Sequence, residues 1–293
     1  MEKMITKQNL PFCEQPILRF VVPRITNPRK NDDVNFILFS DVHGNIEAFS
    51  QFTECIEYFN NLFDRNLVLV GLGDYIDYGP DSDIILKSLQ QLKKKYETYL
   101  ISGNHDAIAC ELLNPTKCKQ ENFGRLKSVR GKISAILTAD QIKTKSSKED
   151  IAFLQGLSIG FAAKSRKLFD WRFDCFHGSP KNPMWGSCID DVTKDDMKKF
   201  VKHQFIFGGH THKPCVRIIK DAEDGKQYAI NVGSIGQPRN GNPLGNFCLF
   251  EVRKTEFIIS VYSFNYDFKT TAEKILRNPK QDKYYANRLM TGN

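Results

Sequence analysis

The sequence predicts an α/β protein built on a largely parallel sheet. Two observations carry this. First, three short and almost wholly apolar runs, 34–39, 67–72 and 99–101, recur early in the chain, and helical spacing follows the first two. Runs of that kind read as strands buried on both faces, and repeated strand–helix units imply parallel pairing. Second, each run ends in a polar tip, where parallel sheets collect their functional groups, beyond the carboxyl ends of the strands.

Residues 1–33 read as an N-terminal extension, broken by Pro11, Pro16, Pro23 and Pro28, with 17–22 as an edge strand. The main domain is expected over 34–270. Its first strand, 34–39, ends in Ser40-Asp41-Val42-His43-Gly44-Asn45, and a helix follows with Ile46, Phe49, Phe52, Ile56 and Phe59 on one face. The second strand ends in Gly73-Asp74-Tyr75-Ile76-Asp77-Tyr78-Gly79-Pro80. The helix after it carries Ile85, Leu89, Leu92 and Tyr96, with Asp81 and Asp83 at its positive end. The third strand turns over at Gly103-Asn104-His105-Asp106. Residues 107–170 look mainly helical, with a capping box from Ser147 to Asp150 and Gly156 as a stop. Strand 173–176 ends at His177-Gly178, a helix is expected over 193–203, and strand 205–207 ends at Gly209-His210-Thr211-His212. Four further strands, 215–219, 228–232, 247–252 and 257–263, predict a second, mostly antiparallel sheet. A short helix over 271–277 and a loosely held tail from Asn278 complete the chain.

The 293 residues, 41% hydrophobic and 26% charged, suit one globular unit. No apolar run approaches the ~18 residues of a membrane span, and the first residues lack a signal-peptide core. A cytoplasmic protein with no membrane partner is therefore expected. The eight cysteines are scattered without a C-x-x-C pair, which predicts buried free thiols rather than a zinc site. The net charge of +8 favours anionic substrates or nucleic acid. No aromatic-interleaved basic motif accompanies it, so a phosphate-bearing substrate is expected, and nucleic acid is allowed without being indicated.

Five of the six histidines, His43, His105, His177, His210 and His212, lie in polar tips beside Asp41, Asp74, Asn104 and Asp106. Taken singly, such a tip is equally an ordinary strand-to-helix turn with Asn104 or Asp106 as cap. Together they read as a ligand set. In an extended strand, residues two apart point the same way, so Asp41 with His43, and His210 with His212, can each reach one cation. Nitrogen and oxygen donors without thiolate suit Mn first, with Fe, Zn or Ni also possible. Seven candidates, Asp41, His43, Asp74, Asn104, His177, His210 and His212, suit two ions sharing a carboxylate. A pair of divalent ions about 3.5–4 Å apart generates hydroxide at neutral pH and clamps a phosphoryl oxygen, which points to phosphoester hydrolysis.

These five stretches, in order over 41–212, resemble the motifs of the calcineurin-like metallophosphoesterase superfamily. The resemblance implies a four-layer α/β/β/α sandwich of two mixed sheets flanked by helices, with a dinuclear centre. It implies Asp41, His43 and His212 on one metal, Asn104, His177 and His210 on the other, Asp74 bridging, and His105 as proton donor to the leaving group. Asp106 either orients His105 or caps the following helix. Protein Ser/Thr phosphatases carry arginine where this chain has Tyr78. The stretches 74–81, 177–180 and 231–239 look more like the small prokaryotic phosphodiesterase and phosphatase branch. Asn45, Tyr78 and Arg239 are the expected substrate contacts. Arg239 either supplies the missing guanidinium or sits in a surface turn. The competing functions are a nuclease or nucleotide polyphosphate hydrolase on this fold, and a silent binding or scaffold protein.

Overall fold

Two β-sheets stacked face to face organise the chain. The structure is a computed structural model describing residues 11–13, 15–23, 33–115, 121–159, 173–188, 190, 192–193, 195–196, 199, 203–220 and 226–293. Its strands are β1 (Leu18–Pro23), β2 (Val34–Phe39), β3 (Leu67–Gly71), β4 (Glu97–Ser102), β5 (Ser158–Ile159), β6 (Phe173–Cys175), β7 (Phe205–Gly208), β8 (Cys215–Lys220), β9 (Lys226–Asn231), β10 (Gly245–Val252) and β11 (Glu256–Phe264). Its helices are α1 (Ile46–Leu62), α2 (Ser82–Lys95), α3 (Asn104–Leu113), α4 (Glu121–Arg125), α5 (Val129–Lys145), α6 (Lys148–Gln155), α7 (Phe268–Arg277) and α8 (Lys283–Thr291).

The first sheet runs β1-β11-β10-β2-β3-β4-β5. Its β2, β3, β4 and β5 pair in parallel, as the strand–helix alternation predicts, and β1 is the expected edge strand, antiparallel to β11. The second sheet runs β6-β7-β9-β8, parallel except for β8 against β9.

The four late strands do not form one antiparallel sheet of their own. β8 and β9 join the second sheet, whereas β10 and β11 extend the first, with β10 antiparallel to β2. The reason is burial on both faces. Phe247 and Leu249 of β10 pack with the helices beneath the first sheet, while Cys248, Phe250 and Val252 face the second sheet. Only the central position between a helix layer and a sheet buries both sets. On the helix side, Ile37 and Phe39 meet Phe49, Phe52 and Phe59 of α1 and Ile85 and Leu89 of α2. Between the sheets, Phe250 lies 5.1 Å from Phe207 and 5.2 Å from Phe205, ring centre to ring centre. Ile206, Ile219 and Ala229 face outward from the second sheet. The helix expected there, 193–203, falls largely outside the described residues.

The capping box of α6 is present: Asp150 N–H donates to Ser147 Oγ at 3.1 Å, and Ser147 N–H to Asp150 Oδ2 at 2.9 Å. Seven cysteines lie among the described residues, all as free thiols. Among those residues no helix is long and apolar enough to cross a membrane.

The segment after Asn278 is not a loose tail. Asp282 caps α8, and Gly292 ends it at φ +69°. Tyr285, Ala286 and Leu289 pack onto Ala272 and Ile275 of α7. Three apolar residues on one face of a short polar segment were too few to read as a helix from the sequence. The α7–α8 hairpin is fastened to the starts of α1 and α2: Thr271 Oγ1 donates to Asn45 Oδ1 at 2.9 Å, and Lys274 reaches Glu47 at 2.5 Å and Asp81 at 3.0 Å. Replacing Phe250 with Ala should cost about 3–5 kcal/mol in urea unfolding, with the m-value unchanged. Ile136→Ala, at a side chain half exposed to solvent, should stay within about 0.5 kcal/mol.

Candidate metal centre

The polar tips meet at one end of the two sheets because the backbone ladder continues past the strands. Asp41 N–H donates to Gly73 O and His43 N–H to Asp74 O, which joins the tips of β2 and β3. Ile235 and Gly236 N–H donate to Ser40 O and Asp41 O from the other side. A side chain at Gly236 would place its Cβ 1.8 Å from Val42 O, so this loop needs glycine to lie that close. Gly73, at φ +94°, would put a Cβ 2.3 Å from the Gly103 nitrogen.

The ligand candidates do not converge by strand alternation. Asp41, His43, Asp74, His210 and His212 all have φ between +49° and +65°. Left-handed backbone costs about 1–2 kcal/mol per non-glycine residue. Asp77 and Tyr78 share it, and among the described residues only Asp64 and Arg65 show it elsewhere without being glycine. Such strain persists only where surrounding structure over-determines it, and it collects at functional sites.

The seven candidates form two adjoining groups. Asp41, His43 and His212 offer donor atoms within 4.8 Å of one another, as do Asp74, His177 and His210. His212 Nε2 lies 3.1 Å from Asp41 Oδ1. Asn104 Oδ1 lies 3.1 Å from His177 Nε2, and His210 Nδ1 lies 3.3 Å from that same nitrogen. Asp74 Oδ2 stands 3.1 Å from His177 Nε2 and 3.8 Å from His43 Nε2, between the groups.

The donor set fits divalent cations. His43, His177 and His212 each direct Nδ1 at a backbone carbonyl, of Ile76, Leu72 and Gln237 respectively. A carbonyl only accepts, so each Nδ1 carries the hydrogen and a neutral ring leaves Nε2 as a bare lone pair. The Nε2 atoms of His43 and His212 face each other at 3.2 Å. Asp41 Oδ1 is buried without a hydrogen-bond partner. Lone pairs and carboxylate oxygens crowded this way call for positive charge. Burial would raise the Asp41 carboxyl, but the histidines around it, His212 first, hold it below its ordinary value. Burial and then His212 push His43 well down, and burial and then His177 push His210 down to about 3. Against burial, Asp74 lifts His177 to about 9.

His105 stands beside these groups with both ring nitrogens committed. Nδ1 is 2.7 Å from Asp77 Oδ2, and Nε2 is 2.9 Å from the Tyr78 hydroxyl. Burial opposes its charge, yet Asp74 and Asp77 raise its pKa above the ordinary histidine value. Asp77 is itself held by Ser134 and Thr138 of α5, at 2.6 and 3.1 Å. The sequence reading missed Asp77 as the residue that orients His105; the signal available was its place three residues after Asp74.

Asp106 takes the capping role, not the orienting one. Its oxygens accept from the backbone N–H groups of Asp74, Tyr75 and Gly103 at 2.8–3.0 Å. Burial and the Asp74 charge raise it to about 7. Asn45 also differs from the expected substrate contact. It is 1% exposed, caps α1 by accepting from Ala48 N–H, and donates to Gly236 O at 2.8 Å. Its polar atoms are spent on holding two loops together. Tyr78 and Arg239 are at the site: Tyr78 stacks on Tyr285 with ring centres 4.6 Å apart, and Arg239 N–H donates to His212 O. Burial and then the Arg239 charge hold His212 below its ordinary pKa.

Residues 34–214 match the family described as calcineurin-like phosphoesterase, and the chain belongs to that family. Its members are phosphoric ester hydrolases that work with a dinuclear metal centre. The chain is similar to an uncharacterized protein of Methanocaldococcus jannaschii, 27% identical over 87% of this chain and 97% of that one. In fold it is similar to a metallophosphoesterase from Sphaerobacter thermophilus, with 20% identity, TM-score 0.63, and coverage of 89% of this chain and 100% of the other. A hypothetical protein from Pyrococcus horikoshii aligns with 18% identity and TM-score 0.67, over 89% of this chain and 99% of its own.

A proton test follows from the His177 environment. With Nδ1 on the Leu72 carbonyl and its pKa raised to about 9 by Asp74, His177 would take a second proton on Nε2 at pH 7 where no cation is bound, and a cation taking Nε2 would displace that proton. Cation affinity should therefore rise with pH up to about 9. Calorimetric titration with Mn at pH 7, in buffers of different ionisation enthalpy, should report net proton release; none would contradict this assignment.

Proposed function

We propose that this protein is a Mn-dependent phosphoesterase in which two ligand sets share Asp74. The observation that supports the reading is the place of Asp74 Oδ2, 3.8 Å from His43 Nε2 and 3.1 Å from His177 Nε2, with His105 N–H on the other oxygen. Asp41, His43 and His212 would hold one ion; Asn104, His177 and His210 would hold the other; Asp74 would serve both. When bound, the two cations would neutralise phosphoryl charge and make a water acidic enough to attack at neutral pH.

The chain's own residues do the rest. Asp77 fixes the His105 ring and keeps hydrogen on Nδ1, so Nε2, on the Tyr78 hydroxyl, would carry the second proton. The Tyr78 hydroxyl on Nε2 marks where a leaving-group oxygen would be received. His105 then donates to the departing alcohol, the general-acid role. Arg239 adds a fixed positive charge for the substrate's phosphoryl oxygens, in a chain with Tyr78 where the protein phosphatases carry arginine.

Metal-stripped protein should be inactive on a nitrophenyl phosphate ester and recover with Mn. His105→Ala should keep two bound ions yet lose about 10²–10⁴-fold in kcat on an ester with a poor leaving group, the usual worth of a general acid. Full activity of that variant on such an ester would remove His105 from the role. Asp77→Asn should lower kcat more than it changes KM.

A further inference from the structure

The C-terminal hairpin brings a second guanidinium to the site, outside the stretch matched to the family. Arg288 of α8 donates from Nη1 to Gln237 Oε1 at 3.1 Å, and Arg239 donates from Nη2 to the same oxygen at 3.0 Å. Gln237 is 2% exposed, and its backbone carbonyl is the one that orients the His212 ring. One residue thus links a candidate ligand to both arginines.

The pair is under-compensated. Among the described residues no carboxylate pairs with either guanidinium, and the Nε atoms of both are buried without a hydrogen-bond partner. Two like charges gathered on one neutral amide, each with an unspent buried donor, are stable together when an anion with several oxygens joins them. Arg288 is positioned by Tyr284, whose ring lies 4.4 Å from its guanidinium carbon and whose hydroxyl it also bonds. Arg130 of α5 covers the same ring at 4.3 Å, adding a third positive charge nearby.

We propose that Arg239 and Arg288 form a subsite for a second phosphoryl group joined to the scissile one, which makes condensed phosphates and nucleoside polyphosphates the substrate class. This rests on the phosphoesterase reading above. Hydrolysis adds one water across the anhydride: its oxygen bonds the scissile phosphorus, and the bridging P–O bond breaks. The bridging oxygen leaves with the bonding electrons on the phosphate held by the arginines and takes a proton from His105. The proton lost by the water restores the balance.

The test uses Mn-loaded protein, with free Mn buffered, and calorimetric binding of two uncleavable probes, methylenediphosphonate and methylphosphonate. Wild type should prefer the two-phosphoryl probe. Arg288→Gln should reduce that preference at least about tenfold, the size of a lost charge-assisted hydrogen bond. Arg288→Lys, which keeps charge and stem, should lose less and controls for folding. The ratio of kcat/KM for tripolyphosphate over nitrophenyl phosphate should fall in step. Equal affinity of wild type for both probes, or an unchanged ratio in Arg288→Gln, would overturn the subsite. Wild type that prefers the diphosphonate but cleaves no phosphoester would instead sink the hydrolytic reading and leave the subsite standing.

Discussion

The arrangement depends on where the Asp74 carboxylate is held. One oxygen lies between His43 and His177, and the other accepts from His105 N–H at 2.8 Å. This single side chain therefore fixes the separation of the two ligand groups and the start of α3, which carries Asn104 and His105. Its own backbone is left-handed at φ +55°. Asp106 holds it there by accepting from Asp74 and Tyr75 N–H while capping α3 through Gly103 N–H. A buried carboxylate spent on three backbone donors is a scaffold, and that explains why a residue beside His105 in sequence does not touch its ring.

Much of this was legible in the sequence because the signals were local. Apolar runs of strand length followed by 3.6-residue periodicity marked β2, α1, β3 and α2. Histidines in the tips marked the candidate centre, where the structure gathers Asp41, His43 and His212 in one donor group and Asp74, His177 and His210 in another. Spacing paired Asp41 with His43 and His210 with His212; the first two share a donor group, whereas His210 and His212 fall in different groups. All four have left-handed backbone rather than strand alternation, and periodicity carries no trace of that.

What the sequence concealed was tertiary. Nothing local distinguishes β8 and β9 from β10 and β11, yet they enter different sheets, because only a position between a helix layer and a sheet buries both faces of β10. Asp77 was given no role from the sequence; its hold on His105 depends on Ser134 and Thr138 of α5, which come from far along the chain. Asn45 looked available for substrate until Gly236 and Thr271 claimed its amide. The α7–α8 hairpin went unread since its apolar face is three residues wide, and it brings Tyr285 onto Tyr78 and Arg288 onto Gln237. The last turns of the chain thus reach the residues that flank His105 and His212.

The central claim is that two cations share Asp74, and metal stoichiometry tests it most directly. Protein reconstituted with Mn and dialysed should carry two ions per chain by elemental analysis. Asp74→Ala should lose ions from both groups together while retaining its fold by circular dichroism. Wild type saturating at one ion, or Asp74→Ala holding two as tightly as wild type, would contradict the account.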